Sequence, residues 1–242
     1  MRIAIFSDIH GNLEALEAVL ASDEMKSADR AVCLGDVIGY GADPSACLAR
    51  VREKAERVLL GNHESAVAHP GELEYFNGYA RTALEWTRAQ LSAEDLAYVS
   101  SLPFAYREPP DFLFVHSAPR SPADWTYIVG LDTARAELSS FGETLCFVGH
   151  SHVPLAVEAP ADGTSQLIDF PVRVEPGNRY LVNVGGVGQP RDRDPRAAFA
   201  LYDTDSRTLS LVRVEYPIER AQEKIIAAGL PPFLATRLAA GR

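Results

Sequence analysis

Five of the six histidines in the sequence stand where an apolar run breaks off into polar residues. They are His10, His63, His116, His150 and His152, and the same break points carry Asp8, Asp36 and Asn62. Imidazole nitrogens, carboxylates and an amide oxygen are donors that first-row divalent metals accept, and the absence of thiolates excludes a structural zinc site. There are too many donors for one ion. Two ions need about four protein donors each or fewer, with water filling the rest, and one carboxylate can bridge cations about 3.5–4 Å apart. Asp36, from the middle one of the first three break points, is the expected bridge. A dinuclear centre generates hydroxide at neutral pH and clamps the attacking and leaving oxygens of a displacement at phosphorus. The expected chemistry is therefore hydrolysis of a phosphate ester by a hydroxide bridging two metal ions. His63, beside the ligand Asn62 but facing the other way on an extended segment, is the expected general acid for the leaving oxygen.

Taken singly, these residues have plainer readings. A histidine can be a hydrogen-bonded core residue, Asp8 a helix cap, and Asp36 and Asn62 turn formers. All of those readings would have to hold together at five strand ends, and the coincidence weighs against them. His69 lies at no strand end and is expected to be exposed.

The elements that must position these groups follow from the hydrophobic pattern. Ile3 to Phe6, Ala31 to Leu34 and Arg57 to Leu60 read as buried strands, and they stop at Asp8, at Gly35-Asp36 and at Gly61-Asn62-His63-Glu64. Between them, Leu13, Leu16, Val19 and Leu20 recur at helical spacing after a possible cap at Asn12, and Asp43-Pro44 opens a second helix through Leu48, Val51 and Ala55. This order predicts parallel strands with their polar ends on one edge, where ligands bind in open α/β sheets. From Tyr75 to about Ser101 the pattern is helical, with Phe76, Ala80, Ala83, Leu84, Thr87 and Leu91 on one face and a capping box at Ser92 and Asp95; this segment is placed to lie over the site. Phe112 to Val115 ends at His116, and Leu145 to Val148 ends at Gly149-His150-Ser151-His152, with a helix from about Asp132 to Ser140 between. Strands are then expected at 155–157, 166–170, 180–184, 197–203 and 209–214, with an amphipathic helix from Ile218 to Gly229 and a short one after Pro231-Pro232.

The 242 residues can bury a substantial core and are expected to form a single domain over 1–242. A formal charge of −10 excludes non-specific binding to nucleic acid or anionic lipid, so an anionic substrate needs local arginines or a cation. No apolar run approaches a membrane span and the start has no signal-peptide pattern, so the expected location is cytoplasmic. The three cysteines, Cys33, Cys47 and Cys146, are odd in number and widely spaced, and read as reduced, mostly buried thiols.

Asp8-x-His10, Gly35-Asp36, Gly61-Asn62-His63-Glu64, the lone His116 and Gly149-His150-Ser151-His152 resemble, in order, the five blocks of the calcineurin-like metallophosphoesterase superfamily. The resemblance implies an α/β fold, a four-layer α-β-β-α sandwich of two mixed sheets flanked by helices. It implies that Asp8, His10, Asp36 and His152 hold one metal, that Asp36, Asn62, His116 and His150 hold the other, and that His63 is the phosphate-contacting acid. It implies two divalent ions per chain, manganese first, with iron, zinc or nickel as alternatives.

The second block reads Gly35-Asp36-Val37-Ile38-Gly39-Tyr40-Gly41 and lacks the arginine of the phosphoprotein phosphatases, which argues against that activity. The stretch from Asn183 to Phe199 is similar to the N-P-G-S-x-x-x-P-R segment of small bacterial phosphodiesterases, with Val184 and Gly186 in place of its Pro and Ser. Together with Gly39 to Pro44 it resembles a prokaryotic phosphodiesterase or diadenosine tetraphosphatase-like branch. A small nucleotide-like phosphorylated substrate is expected, a phosphodiester or dinucleoside polyphosphate first, with Asn12, Gln189 and Arg191 touching it. Arg120 is a further anion-binding candidate, and Tyr40 is either a base-stacking ring or a buried one. The alternatives are a phosphomonoesterase or phosphoprotein phosphatase of the same fold, or a non-catalytic metal-binding scaffold; an amide or lactone hydrolase would show an H-x-H-x-D-H run, which is absent. Assembly state is not legible.

Overall fold

In the first strand, β1 (Arg2–Phe6), Ile3 and Ile5 point one way and Ala4 and Phe6 the other, and both faces are buried. The computed structural model describes residues 1–242, and the chain continues through α1 (Leu13–Ala21), α2 (Asp23–Lys26), β2 (Arg30–Cys33), α3 (Pro44–Lys54), β3 (Arg57–Val58) and α4 (Asn62–Ala68). Then come α5 (Gly78–Gln90), α6 (Ala93–Ser100), β4 (Ala105–Glu108), β5 (Phe112–Val115), α7 (Leu131–Glu137) and β6 (Leu145–Val148). The remainder is β7 (Leu155–Ala159), β8 (Gln166–Ile168), β9 (Val172–Arg173), β10 (Arg179–Asn183), β11 (Ala197–Asp203), β12 (Thr208–Val214), α8 (Ile218–Ala227) and α9 (Pro232–Ala239).

The strands form two six-stranded mixed sheets, β3-β2-β1-β11-β12-β9 and β4-β5-β6-β10-β7-β8. Side-chain alternation then sorts the core into layers. Ile3, Ile5, Val32 and Leu34 meet Phe112, Phe114, Phe147 and Tyr180 between the sheets, where Phe114 and Phe147 stack at 5.5 Å. Ala4, Phe6 and Cys33 turn outward against α1, α3, α5, α8 and α9. On the far side Leu113, Val115, Cys146 and Val148 pack under α7. The result is the expected α-β-β-α sandwich. Cys33, Cys47 and Cys146 are free and buried, and no helix is long and apolar enough to cross a membrane.

Within the first sheet β1, β2 and β3 are parallel, and within the second β5, β6 and β10 are parallel. Six carboxyl ends are thereby available to one edge of the sandwich.

Several boundaries differ from the sequence reading for identifiable reasons. β3 spans only two residues. Asn62 and His63 lie in the first turn of α4, capped by Gly61, so the two do not alternate on an extended segment as expected. The edge strand β4 is not legible in the sequence because its apolar content is one alanine, Ala105, and one ring, Tyr106, stacked on Phe114 at 6.2 Å. The run from Gln166 to Phe170 is strand only to Ile168, and Val172–Arg173 crosses to the other sheet after Pro171, which has no N–H for a ladder. Asp43 does not cap α3 with its side chain; its Oδ2 takes Lys224 Nζ at 2.8 Å, and the same ammonium reaches Glu14 at 2.7 Å, tying α3 and α1 to α8.

Candidate metal centre

The loops leaving β1 and β2 run side by side. Asp8 N donates to Gly35 O at 3.0 Å, His10 N to Asp36 O at 2.9 Å and Gly11 N to Val37 O at 2.8 Å, so both loops present their side chains at the same edge. Asp8, His10, Asp36, His150 and His152 all have positive φ, between 50° and 63°. Each such residue costs on the order of 1 kcal/mol. Five strained residues at one edge mark a constellation that the surrounding fold over-determines. Gly61 is part of that determination, since a Cβ there would collide with the Asp36 carboxylate.

Two groups of donors result, each with its ligand atoms within 4.8 Å of one another: Asp8, His10, Asp36 and His152, and Asp36, His116 and His150. Asp36 belongs to both. Its Oδ1 accepts His63 N at 2.9 Å, and its Oδ2 lies 3.6 Å from His10 Nε2 and 3.4 Å from His116 Nε2. Backbone carbonyls fix the tautomers: His10 Nδ1 donates to Ile38 O at 3.1 Å, His116 Nδ1 to Leu34 O at 3.1 Å and His152 Nδ1 to Gln189 O at 2.6 Å. Each of those rings keeps its Nε2 lone pair for the centre. His150 is turned round; its Nε2 donates to Trp125 O at 2.9 Å, leaving Nδ1 inward. His10 Nε2 and His152 Nε2 stand 3.1 Å apart with no second carbonyl to share, an arrangement that a cation between the lone pairs relieves. Asp8 Oδ1, His116 Nε2 and Asn62 Oδ1 are buried without hydrogen-bond partners. Buried unpaired polar atoms of this number are costly unless a ligand satisfies them, so the donor set fits divalent cations.

Burial pushes His63 down to about 4 and His150 down to about 3, and it lowers His10 and His152 as well. Although burial opposes it, the Asp36 carboxylate raises His116 to about 9. Against their own burial, Asp36 is held well below the usual carboxylate range by His116 and His63, and Asp8 is lowered by His152. The consequence has a definite sign. Between pH 7 and 5 the unfolded chain protonates His63 and His150 near their ordinary 6.5 while the folded chain does not, so stability falls with falling pH. His116, its contribution complete below 6.5 and lost as pH rises through 9, and Glu64, whose carboxyl burial raises to about 7, act oppositely and offset part of the loss from His63, His150, His10 and His152. Metal-free protein should therefore be less stable at pH 5 than at pH 7. Denaturant titrations at the two pH values measure this, and greater stability at pH 5 would contradict it.

The remaining site residues fall into two groups. His63, fully buried, has Nδ1 unpartnered and is walled by rings, with centroids at 4.5 Å for His10, 4.6 Å for Tyr40 and 5.3 Å for Phe76. A Cβ on Gly39 would strike its Nδ1, so glycine is required there. Arg191 stands on the loop after β10, where its N donates to His152 O at 3.2 Å and its Cζ lies 5.9 Å from the Tyr40 ring. Tyr40 is 9% exposed, the buried ring of the two readings. His69 is exposed, as expected.

Three of the expected anion contacts are held by partners within the chain. Both ends of the Asn12 amide are engaged, Oδ1 by Ala15 N at 3.1 Å and Nδ2 with Gly188 O at 2.8 Å, so Asn12 caps α1 and anchors a loop. Gln189 is buried, and its oxygens serve His152 and Arg191. Arg120 turns to Glu137, Ser139 and Ala136 O, away from the centre.

Three features had no place in the sequence reading. Glu64 is completely buried, and its carboxylate accepts four backbone N–H groups, from Asp36, Val37, Ile38 and Gly61, which locks the bridge loop onto α4. The cue was present as a glutamate at the third position of a helix. Trp125 and Tyr127 cover His150, the Tyr127 ring stacking on it at 4.0 Å; an aromatic pair shortly after His116 was the only sign. Arg237, from α9, has its Cζ 6.0 Å from the centre of the Tyr40 ring, and nothing local announces it.

A family model for the calcineurin-like phosphoesterase superfamily domain matches residues 1–207. An uncharacterized protein of Methanocaldococcus jannaschii, MJ0912, is 37% identical, the match covering 99% of this chain and 98% of that one. Among solved structures, a metallophosphoesterase from Sphaerobacter thermophilus superposes with a TM-score of 0.87 at 42% identity, over 100% of this chain and 99% of that chain. The hypothetical protein PH1004 from Pyrococcus horikoshii OT3 shares the fold at a TM-score of 0.81 and 19% identity, over 100% and 98% of the two chains.

Proposed function

The chain belongs to the calcineurin-like phosphoesterase superfamily, and from that premise we propose that it is a dinuclear metal-dependent phosphohydrolase favouring phosphodiesters or dinucleoside polyphosphates. The observation that carries the proposal is the pair of buried donor groups sharing Asp36, with imidazole lone pairs fixed inward by backbone carbonyls. Asp8, His10, Asp36 and His152 would hold one ion, and Asp36, Asn62, His116 and His150 the other. Two divalent cations, when bound, supply the hydrolytic nucleophile at neutral pH and neutralise charge on the reacting phosphoryl group.

The chain's own groups do the rest. The carbonyl-anchored imidazoles and the Glu64 clamp hold the donors in place before substrate arrives, which lowers the reorganisation needed in the reaction. His63 holds a proton for the leaving oxygen. Its low proton affinity in the bare site reflects burial first, and the negative charge of a bound phosphoryl group raises it towards the range of an acid near neutrality. Arg191 adds positive charge on the same side. Trp125, Tyr127 and Phe76 wall the opening and limit water. Manganese is the proposed ion, and the three free thiols support a reducing, cytoplasmic location.

The test is a metal-reconstituted screen of bis(p-nitrophenyl) phosphate, p-nitrophenyl phosphate, cyclic nucleotides, diadenosine tetraphosphate and a phosphopeptide, with Mn, Fe, Zn and Ni each added. Chelator-sensitive turnover of the diester or tetraphosphate is expected. Preference for the monoester or phosphopeptide would favour the sister activities, and inactivity with every metal would favour a scaffold.

A further inference from the structure

The family match ends at residue 207, yet the chain returns to the site after it. In α9 the Arg237 guanidinium is held between two rings, its Cζ 6.0 Å from Tyr40 and 5.3 Å from Phe233. Arg191 stands over the same Tyr40 ring at 5.9 Å, and that ring lies 4.7 Å from His10 and 4.6 Å from His63. The two segments are joined directly, Arg193 N donating to Gly241 O at 2.9 Å.

Neither guanidinium faces a side-chain carboxylate. Arg191 donates to Gln189 Oε1 at 2.9 Å, and Arg237 Nε donates to the main-chain oxygen of Arg242 at 2.5 Å, which leaves the Arg237 terminal nitrogens free. The neighbouring arginines are neutralised, Arg213 by Asp192 and Arg196 by Asp194. In a chain with 33 acidic residues against 23 basic ones, two half-buried arginines over one tyrosine ring that meet no acidic side chain are a costly arrangement that a bound anion relieves. Burial and the charge of Arg191 lower Arg237 to about 10, the direction expected of crowded cations.

Two clefts meet at Tyr40. One, of about 360 Å³, is lined by Asn62, Phe76, Trp125, Tyr127 and His150 and opens on the donors. The other, of about 810 Å³, is lined by Asn77, Tyr79, Thr82, Phe233 and Arg237. Tyr79 and Phe233 are 53% and 48% exposed and stack on each other at 5.0 Å, offering an apolar face beside a free guanidinium. Resting on the hydrolase reading above, we infer that Arg191 and Arg237 form an anion subsite for a second phosphate, so that the preferred substrate is an oligophosphate chain carrying an aromatic base. The reacting phosphate sits among the donors, the next reaches the arginines, and the base lies against Tyr79 and Phe233. A substrate with one phosphate leaves this subsite empty.

The experiment compares wild type, Arg237→Met and Arg237→Lys. With metal-loaded protein, kcat/KM is measured for diadenosine tetraphosphate and for bis(p-nitrophenyl) phosphate; with metal-free protein, binding of tripolyphosphate and of orthophosphate is measured by calorimetry. Arg237→Met should lower kcat/KM for the tetraphosphate about 10–100-fold more than for the single-phosphate diester, mainly through KM, and weaken tripolyphosphate binding by a similar factor. Arg237→Lys should recover part of both. Equal losses on both substrates, or tripolyphosphate binding that does not change, would overturn the subsite. Should wild type hydrolyse neither substrate with any metal, the hydrolase reading fails, while the tripolyphosphate arm still decides the subsite.

Discussion

Asp36→Asn is expected to reduce phosphodiester turnover by at least about a thousandfold and to lower metal content below that of wild type. Asp36 is the one residue common to both donor groups, its Oδ2 facing His10 Nε2 at 3.6 Å and His116 Nε2 at 3.4 Å. Asparagine keeps the shape and an oxygen able to accept from His63 N, as Oδ1 does at 2.9 Å. Using that oxygen for the loop turns the amide NH₂ towards the ligands, where it donates instead of accepting and carries no charge. The substitution thus removes the bridge while leaving the fold its hydrogen bond. The checks are metal analysis and diester kinetics, with circular dichroism showing a folded variant; undiminished turnover would remove Asp36 from the mechanism.

His63→Gln should behave differently. A lost general acid lowers kcat by about 10²–10⁴-fold, yet His63 belongs to neither donor group, so metal content should stay near wild type. The loss should also depend on the leaving group. A p-nitrophenolate leaves without much help from a proton, whereas an alkoxide such as a ribose oxygen needs one, so the variant should lose more on an alkyl ester. A loss of the same size on both esters would show that His63 binds phosphate or shapes the pocket without donating its proton.

The donor set was legible because β-strand ends are legible: an apolar run that stops at Asp-x-His or Gly-His-Ser-His marks both the end of a buried strand and the polar group it delivers. The layered architecture came from the family resemblance, and the strand alternation at Ile3 to Phe6 agrees with it. What escaped was tertiary. Glu64 acts on amides 26 to 28 residues away, at Asp36, Val37 and Ile38, and only the bent loop brings them together. His63 does not alternate with Asn62 on an extended segment, since α4 begins at Asn62; what sets it apart is helix geometry and the ring cage of His10, Tyr40 and Phe76. The partners that hold Asn12 and Arg120, Gly188 and Glu137, lie far along the chain, where no local pattern announces them. Arg237 shows the opposite case, an ordinary helix arginine made notable by Tyr40 and Phe233.

The proposed chemistry requires one buried carboxylate, Asp36, shared by two ions. A crystal soaked in manganese and measured at its absorption edge tests it most directly. Two anomalous peaks per chain are expected, about 3.5–4 Å apart, one among Asp8, His10 and His152 and the other among Asn62, His116 and His150, with Asp36 shared between them. A single peak, or two that do not share Asp36, would contradict it.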